Sequence, residues 1–376
     1  MEMRSFDSIR ERVSLLGFGG MRLPLLTESK KDIDRPAAQR MIDRALEGGV
    51  NYFDSAWLYH DGESEGFLGE ALSRYPRESY YLATKMPTWD IMHAKEDVER
   101  IFTEQLRRCR TDYFDFYLLH CLTGENWEIT KRIEACEFLE REKKRGRIRN
   151  LGFSFHDHPG VLEQLLAERS WDFVQIQLNY IDWVTTKAEK QYEILSSRGI
   201  PVVVMEPVRG GALAVLCEEA ASILKEADPA ASLASWALRF AASLPGVMCV
   251  LSGMGSLEQV VDNLKTFSPL KPLSEEERKT LERAADAYRA AGAIPCTGCG
   301  YCMDCPSGVN IPRVFSIYNH YRVNHNRLYF DHGCRSLLPT ERAQNCVGCG
   351  VCKSHCPQKI DIPMWMETIS EFTANP

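Results

Sequence analysis

Nine of the 14 cysteines in this 376-residue chain lie between Cys296 and Cys356. Eight of the nine form two runs of short, regular spacing, and each run ends in Cys-Pro. Three cysteines at such a spacing, with a fourth before proline, are typical of [4Fe–4S] sites in which the fourth cysteine ligates the other cluster. We therefore predict two [4Fe–4S] clusters, one held by Cys296, Cys299, Cys302 and Cys356, and one held by Cys346, Cys349, Cys352 and Cys305.

Structural zinc is the alternative for these cysteines, because paired CxxC units also build tetrahedral zinc sites. The triple spacing, both Cys-Pro endings and an internal repeat favour iron–sulfur, since CPSGVNIP (305–312) returns as CPQKIDIP (356–363). The first run is one residue shorter before its last cysteine, which leaves open how Cys305 reaches its cluster. We interpret Cys334, which belongs to neither run, as an unreactive thiol, and the remaining cysteines as packing residues.

A second chemical set consists of Asp54, Tyr59, Lys85 and His120, which end short apolar runs or follow them closely. A tyrosine hydroxyl is a poor acid near neutrality, but a neighbouring ammonium stabilises the phenolate and lowers the pKa. Lys85 could act in this way on Tyr59, with Asp54 holding the lysine in place and His120 donating a hydrogen bond to a substrate oxygen. Together these side chains would place a proton donor beside a carbonyl oxygen.

The elements that must position this set are eight apolar runs with helical spacing between them. The runs span residues 13–18, 50–54, 80–84, 113–120, 148–154, 171–177, 200–205 and 246–251. Strands that are apolar on both faces and alternate with amphipathic helices are typical of a parallel sheet, and eight repeats suit a closed barrel. We predict an α/β fold with a (β/α)8 TIM barrel over residues 1–291, followed by a small helical dicluster ferredoxin-like domain over 292–376. In such barrels the chemistry lies at the carboxyl ends of the strands.

The segments GVNYFDSAWLYHDGESEGFLGEAL, ATK, YFDFYLLH and IRNLGFS resemble the aldo-keto reductase superfamily, over nearly all of residues 13–267. The resemblance implies that Tyr59 is the general acid/base and that Asp54, Lys85 and His120 complete a catalytic tetrad. It also implies a nicotinamide cofactor that passes hydride to a carbonyl carbon or takes it from an alcohol. We therefore expect an NAD(P)H-dependent oxidoreductase that interconverts a carbonyl and an alcohol.

The chain contains no strand–GxGxxG–helix unit, so a Rossmann domain is not supported. Barrels often bind phosphate in the loops after strands seven and eight, and glycines there let the backbone approach a pyrophosphate closely. From these loops, from the end of strand one and from the resemblance, the predicted cofactor contacts are Gly20, Met21, Arg22, Ser154, Gln175, Met205, Glu206, Pro207, Arg209, Gly210, Gly211, Ser252, Gly253, Gln259 and Asn263.

Two of these predictions carry further detail. Met205 occupies the place where an aromatic side chain commonly stacks on the nicotinamide in the family. Residues 253–259 contain no basic side chain, whereas many NADP-dependent members clamp the 2′-phosphate there. Without a cation to pair that phosphate, discrimination for NADP should be weak, so we favour NADH slightly.

Hydride transfer moves two electrons and a [4Fe–4S] cluster moves one, so direct exchange needs a radical-tolerant carrier. A flavin would serve, although no sequence feature identifies one. Three hypotheses stay open: a reductase whose clusters connect it to ferredoxin or another redox partner, a carbonyl reductase with structural or redox-sensing clusters, and a nucleotide-sensing binding module.

Composition excludes several other classes. The formal net charge of −7 argues against nucleic-acid binding, and no apolar stretch approaches the length needed to span a membrane. The first residues lack the apolar core of a secretory signal, so we expect a cytoplasmic protein. A small carbonyl or alcohol substrate is expected, with candidate walls formed by Trp57, Trp89, Trp127, Tyr180 and Trp183.

Overall fold

The computed structural model describes residues 1–27, 29–89 and 92–374. Contacts between Cα atoms divide the chain into two compact units. The first unit comprises Met1–Pro207 with Ala237–Ser274, and the second comprises Val208–Trp236 with Glu275–Pro376. The domain boundary expected at residue 291 stays a prediction.

The first unit is built on a closed barrel of eight parallel strands, which confirms the predicted (β/α)8 architecture. The strands follow one another around the barrel in chain order, and the last pairs with the first of the eight. Including a short hairpin before the barrel, the strands are β1 (Met3–Phe6), β2 (Ile9–Ser14), β3 (Leu16–Gly19), β4 (Tyr52–Asp54), β5 (Tyr81–Met86), β6 (Phe114–Leu122), β7 (Ile148–Phe155), β8 (Phe173–Gln177), β9 (Val202–Met205) and β10 (Val247–Ser252).

The hairpin of β1 and β2 is a feature that the sequence pattern did not predict. Residues 13–18 were expected to form one strand, but the chain leaves β2 at Ser14 and enters β3 at Leu16. Ile9 and Val13 of the hairpin pack in one apolar cluster with barrel residues such as Phe116. The side-chain Nδ2 of Asn51, just before β4, donates to the Arg12 carbonyl. The hairpin therefore covers the amino-terminal end of the barrel.

Helices fill the connections between the strands and most of the second unit. They are α1 (Arg35–Glu47), α2 (Glu63–Leu72), α3 (Lys95–Arg108), α4 (Gly124–Arg132), α5 (Ala135–Lys144), α6 (Pro159–Glu168), α7 (Asp182–Thr185), α8 (Ala188–Ser197), α9 (Glu218–Ala227), α10 (Leu233–Ala242), α11 (Leu257–Phe267), α12 (Glu275–Ala290), α13 (Ile311–Asn324), α14 (Arg327–Ser336), α15 (Val351–Ser354) and α16 (Ile362–Ala374). Among the described residues, no helix has the length and apolar character needed to cross a bilayer.

In the second unit, the internal repeat of the sequence is also a repeat of structure. Helix α13 begins at Ile311 and α16 at Ile362, which are equivalent positions of the two repeats. Both helices contribute to one apolar core that also contains α14 and the segments between the cysteines. The cysteine loops therefore rest on a shared core.

Candidate functional site

The four predicted catalytic residues come together at the carboxyl ends of neighbouring strands. Asp54 ends β4, Lys85 and His120 lie near the ends of β5 and β6, and Tyr59 begins a 3-10 turn after β4. The Lys85 ammonium donates to Asp54 Oδ1 at 2.6 Å, to the Ser55 carbonyl at 2.7 Å and to the Tyr59 hydroxyl at 3.3 Å. An ammonium has three protons to donate, so these partners saturate it and fix its position.

Burial controls the ionisation of this lysine and aspartate. The Lys85 side chain is 0% exposed and that of Asp54 is 4% exposed. Loss of water lowers the pKa of Lys85 and raises the pKa of Asp54, and in each case the charge of the other residue opposes the shift. The pair is therefore held together because neither charge has water as an alternative partner.

Tyr59 and His120 are tuned as neutral proton donors. Burial, followed by the Asp54 carboxylate, raises the pKa of Tyr59 well above its ordinary value. The sequence predicts that Lys85 lowers that pKa, but desolvation dominates in this enclosed position. Burial, followed by the Lys85 charge, lowers the pKa of His120 well below its ordinary value. Both side chains therefore carry a donatable proton without net charge at neutral pH.

Next to Lys85 lies a buried polar network that was not predicted from the sequence. Glu65 on α2 is 0% exposed and accepts hydrogen bonds from Thr84 Oγ1 and Gln105 Nε2, each at 2.6 Å. The same Gln105 amide donates to the Lys85 carbonyl at 3.0 Å, and Arg108 approaches the Glu65 carboxylate to 3.4 Å. The available signal was helical spacing, since Glu65 shares a buried helix stripe with Leu68 and Leu72.

We expect Glu65→Gln to lower kcat about tenfold, because coupled buried hydrogen bonds are worth roughly 1–2 kcal/mol. The charge of Glu65 raises the pKa of Lys85, so its removal should move the alkaline limb of the pH–rate profile to lower pH. Glu63→Gln, an exposed change on the same helix, is the control. An unchanged pH–rate profile in a folded Glu65→Gln enzyme would contradict this effect of Glu65 on the pKa of Lys85.

Of the five predicted aromatic wall residues, Trp89 contacts a residue of the tetrad, and Trp57 contacts Arg108, which pairs with Glu65. The Trp89 ring is 5.1 Å from that of His120, and the Arg108 guanidinium lies 3.7 Å above the Trp57 ring. Trp127 is buried and its indole donates to Glu168, so it is a packing residue and not a wall. Tyr180 and Trp183 both pack on Phe240.

Several predicted cofactor residues border one another beside the tetrad. The Gly20 amide donates to the Asp54 carbonyl at 2.7 Å, which places the Gly20–Met21–Arg22 turn next to that aspartate. Arg22 pairs with Glu206 at 3.5 Å, and a Cβ on Gly253 would lie 3.1 Å from the Arg22 side chain. The loops after β3, β9 and β10 thus meet around Arg22.

Other predicted cofactor residues in this region have buried polar side chains. Gln175 is 2% exposed, and its Oε1 has no hydrogen-bond partner within the described parts of the chain. Such an orphaned acceptor fits a donor supplied by a ligand, such as a carboxamide. Ser154 accepts from the Cys121 amide at 2.7 Å, and Asn263 donates to Ser252 at 2.8 Å.

The amino terminus of α11 lies in the loop after β10. Ser256 caps this 11-residue helix by accepting from the Gln259 amide, while Gln259 Oε1 accepts from the Gly255 amide at 2.8 Å. Unpaired amides at a helix start suit an anion. Glu258 also lies in the first turn of α11, where a carboxylate disfavours additional negative charge.

The eight cysteines of the two runs surround two separate cavities. Cys296, Cys299, Cys302 and Cys356 line one of them, which we name cavity I. Cys305, Cys346, Cys349 and Cys352 line the other, which we name cavity II. These are the crossed sets expected from the spacing, and Cys305 reaches its set despite the shorter run.

The chemistry of the donors fits a cluster in each cavity. Burial, followed by the nearby cysteines of cavity I, raises the pKa of Cys302 to about 12. Burial, partly opposed by a backbone hydrogen bond, raises the pKa of Cys352 in cavity II to about 11. Bound metal would remove this penalty by stabilising the thiolates. Within residues 1–27, 29–89 and 92–374 no group of three or more His, Cys, Asp or Glu side chains is arranged to hold a single metal ion. The sulfurs of a [4Fe–4S] site bind different irons and need not converge on one point.

Three predicted cofactor residues, Arg209, Gly210 and Gly211, belong to the second unit. They form a 3-10 turn in which all three have positive φ. A Cβ on Gly210 would lie 2.2 Å from the carbonyl oxygen of Thr297, between two cysteines of cavity I. Close packing against this cysteine loop therefore requires glycine at position 210.

Gly210→Ala is expected to displace the loop of Cys296 and Cys299 and to lower the iron content of cavity I, because backbone atoms block the added methyl group. Gly211→Ala is a matched control: its φ is also positive, at +94°, but a Cβ there meets nothing within 4 Å. Iron and acid-labile sulfide per chain measure the outcome. Equal iron content in the two variants would contradict this account.

The first unit is thus a parallel β/α barrel with a buried lysine–aspartate pair, a tyrosine and a histidine at its carboxyl end. Residues 15–286 match the model of the aldo/keto reductase family, and the chain belongs to that family. Residues 295–360 match the model of the 4Fe-4S dicluster domain, so the chain joins a reductase domain to a ferredoxin-type domain.

Relatives and solved structures agree with this assignment. The oxidoreductase YqkF of Bacillus subtilis is 29% identical over 323 residues, which is 77% of this chain and 99% of YqkF. The L-galactose dehydrogenase of Arabidopsis thaliana is 25% identical and covers 75% of this chain and 93% of its own length. The solved holo form of aldo-keto reductase AKR11C1 from Bacillus halodurans has 30% identity and a TM-score of 0.63, covering 76% of this chain and 97% of that protein.

Proposed function

We propose that this protein is an NAD(P)H-dependent oxidoreductase that interconverts a carbonyl and an alcohol, with Tyr59 as general acid/base. The observation that carries the proposal is the saturated Lys85 ammonium, which contacts both Asp54 and the Tyr59 hydroxyl. A buried cation at that distance stabilises negative charge that develops on the tyrosine oxygen as its proton leaves. Family membership supports the same assignment.

In the reduction direction, Tyr59 donates its proton to the substrate oxygen. Its raised pKa keeps the proton in place until charge develops on that oxygen. Neutral His120, with its ring 5.9 Å from that of Tyr59, donates a hydrogen bond to the same oxygen and orients it. Lys85, itself held by Asp54, contacts the hydroxyl and holds it in position.

A bound nicotinamide would supply or accept the two electrons as hydride. The residues that would hold it are Ser154 and Gln175 near the tetrad, and Ser252, Gly253, Gln259 and Asn263 around the start of α11. We propose NADH as the better donor, because Glu258 stands in the first turn of α11 and Arg22 is already paired with Glu206. In this proposal Gly210 serves the cysteine loop, because its backbone approaches Thr297 closely.

Each cavity would hold one [4Fe–4S] cluster through its four cysteines, and the clusters would exchange single electrons with ferredoxin or another redox partner. No flavin is assigned. We place the protein in the cytoplasm, where reduced thiols and clusters persist.

The test begins with anaerobic purification, analysis of iron, sulfide and extractable flavin, and assays of carbonyl and alcohol panels with NADH and NADPH. We expect turnover, with the higher kcat/KM for NADH. Tight nucleotide binding without turnover on either panel would instead support a nucleotide-sensing module.

A Cys299→Ser/Cys349→Ser variant then tests the role of the clusters, because it removes one ligand from each cavity. Loss of electron exchange with a ferredoxin or dye acceptor is expected. Full partner-linked turnover in a folded variant would show that the clusters are structural or redox-sensing.

A further inference from the structure

The second unit contains a third cavity, separate from both cysteine cavities. It has a volume of about 210 Å³, is open to solvent, and lies between α14, the segment leading to Cys346, and α16. Its apolar lining includes Val314, Leu337 and Ile369. We name it the arginine pocket, because Arg327, Arg335 and Arg342 line it together with a single acidic residue, Asp331.

The residues that the structure describes do not supply a carboxylate for each arginine of the arginine pocket. Arg327 pairs with Asp331 at 2.8 Å, which uses the carboxylate of the pocket. Among the described residues, the Arg342 side chain donates to one partner, the backbone oxygen of Leu337, at 3.3 Å. The guanidinium of Arg335, an exposed residue, has no hydrogen bond or ion pair with any of the residues that the structure describes. Two guanidinium groups therefore border one cavity without a carboxylate partner.

We propose that the arginine pocket binds a small anion with at least two negative charges, carried by phosphate or carboxylate groups on a compact body. Guanidinium groups form paired hydrogen bonds with both kinds of oxyanion, which a point charge such as lysine matches less well. The apolar lining suits the carbon skeleton of an organic anion.

The arginine pocket is connected to cavity II through a backbone hydrogen bond. Ala343 lines the arginine pocket, and its carbonyl accepts a hydrogen bond from the Cys346 amide at 3.0 Å. Cys346 in turn lines cavity II. An anion held by Arg342 would therefore restrain the segment that presents the first cysteine of that cavity.

The experiment is isothermal titration calorimetry on the anaerobic holoprotein at constant ionic strength, with inorganic phosphate and tricarballylate as probes and chloride as the background anion. Arg335→Gln and Arg342→Gln are combined in one variant. Arg283→Gln, an exposed arginine of α12 in the same unit, is the matched control. Cluster absorbance is recorded for each variant, so that loss of folding is recognised.

Saturable binding of at least one probe to the wild-type protein is expected, weakened about tenfold or more in the double variant and unchanged in Arg283→Gln. One charged hydrogen bond is worth roughly 1.5–3 kcal/mol, which corresponds to about that factor. Binding of phosphate alone or of tricarballylate alone assigns the ligand class. Absence of saturable binding of both probes, or equal affinity in a folded double variant, would overturn the proposal.

Discussion

Replacing Tyr59 with phenylalanine is expected to lower kcat for carbonyl reduction by about 10²–10⁴-fold, the range of a general acid. The ring keeps its contacts with Lys85, whose Nζ lies 4.7 Å from its centre, and with His120. The fold and nucleotide affinity should therefore change little. Steady-state kinetics with NADH and a nucleotide titration separate loss of chemistry from loss of binding.

Tyr52→Phe is the matched control for this variant. Tyr52 lies in β4 close to the site, and its hydroxyl is buried with no hydrogen-bond partner among the described residues. Its removal should leave turnover unchanged. If Tyr59→Phe retained activity comparable to Tyr52→Phe, another group would have to be the acid.

The pH profile of the wild-type enzyme provides a second readout of the same site. The pKa of His120 is lowered by burial, so this ring stays neutral until the pH falls well below 6.5. The raised pKa of Tyr59 keeps its proton in place on the alkaline side. Reduction should therefore be level through neutral pH, with an alkaline fall set by Lys85, whose pKa is lowered.

The second large effect concerns the pairing of the cysteines. Cys305 and Cys349 line cavity II, so Cys305→Ser/Cys349→Ser should spare cavity I and retain about four irons per chain. Cys299→Ser/Cys305→Ser takes one ligand from each cavity and should damage both clusters. Iron, sulfide and the electron paramagnetic resonance of the reduced protein measure the difference.

Sequential pairing of each run would give the reverse order of iron contents in these two double variants. Cys334→Ser is the control, because Cys334 lines neither cysteine cavity. It should retain the iron of the wild-type protein. Equal iron loss in both double variants would contradict both pairings.

The barrel and the meeting of Asp54, Lys85 and His120 could be predicted from sequence because both depend on strand order and polarity. Parallel strands in chain order bring consecutive carboxyl ends together, whatever the helices do. The crossed cysteine sets could also be predicted from spacing. Three closely spaced cysteines bind one cluster, and the cysteine before proline binds the other.

The contacts that sequence could not provide are those between residues far apart in the chain. Gly210 was interpreted as a pyrophosphate contact, but its lack of a side chain is needed against Thr297. Glu65 was overlooked because its role depends on Gln105, which another helix presents to it. The hairpin was not predicted because β2 ends and β3 begins on either side of Leu15, within a single apolar run.

The crossed cysteine sets have a consequence for how the protein is made. Cys356 completes the lining of cavity I, although the other three cysteines of that cavity precede α13. During synthesis the first three ligands emerge from the ribosome well before the fourth. If the proposed clusters are inserted with full ligation, neither the early nor the late run can mature alone, and iron delivery becomes a late event in biosynthesis.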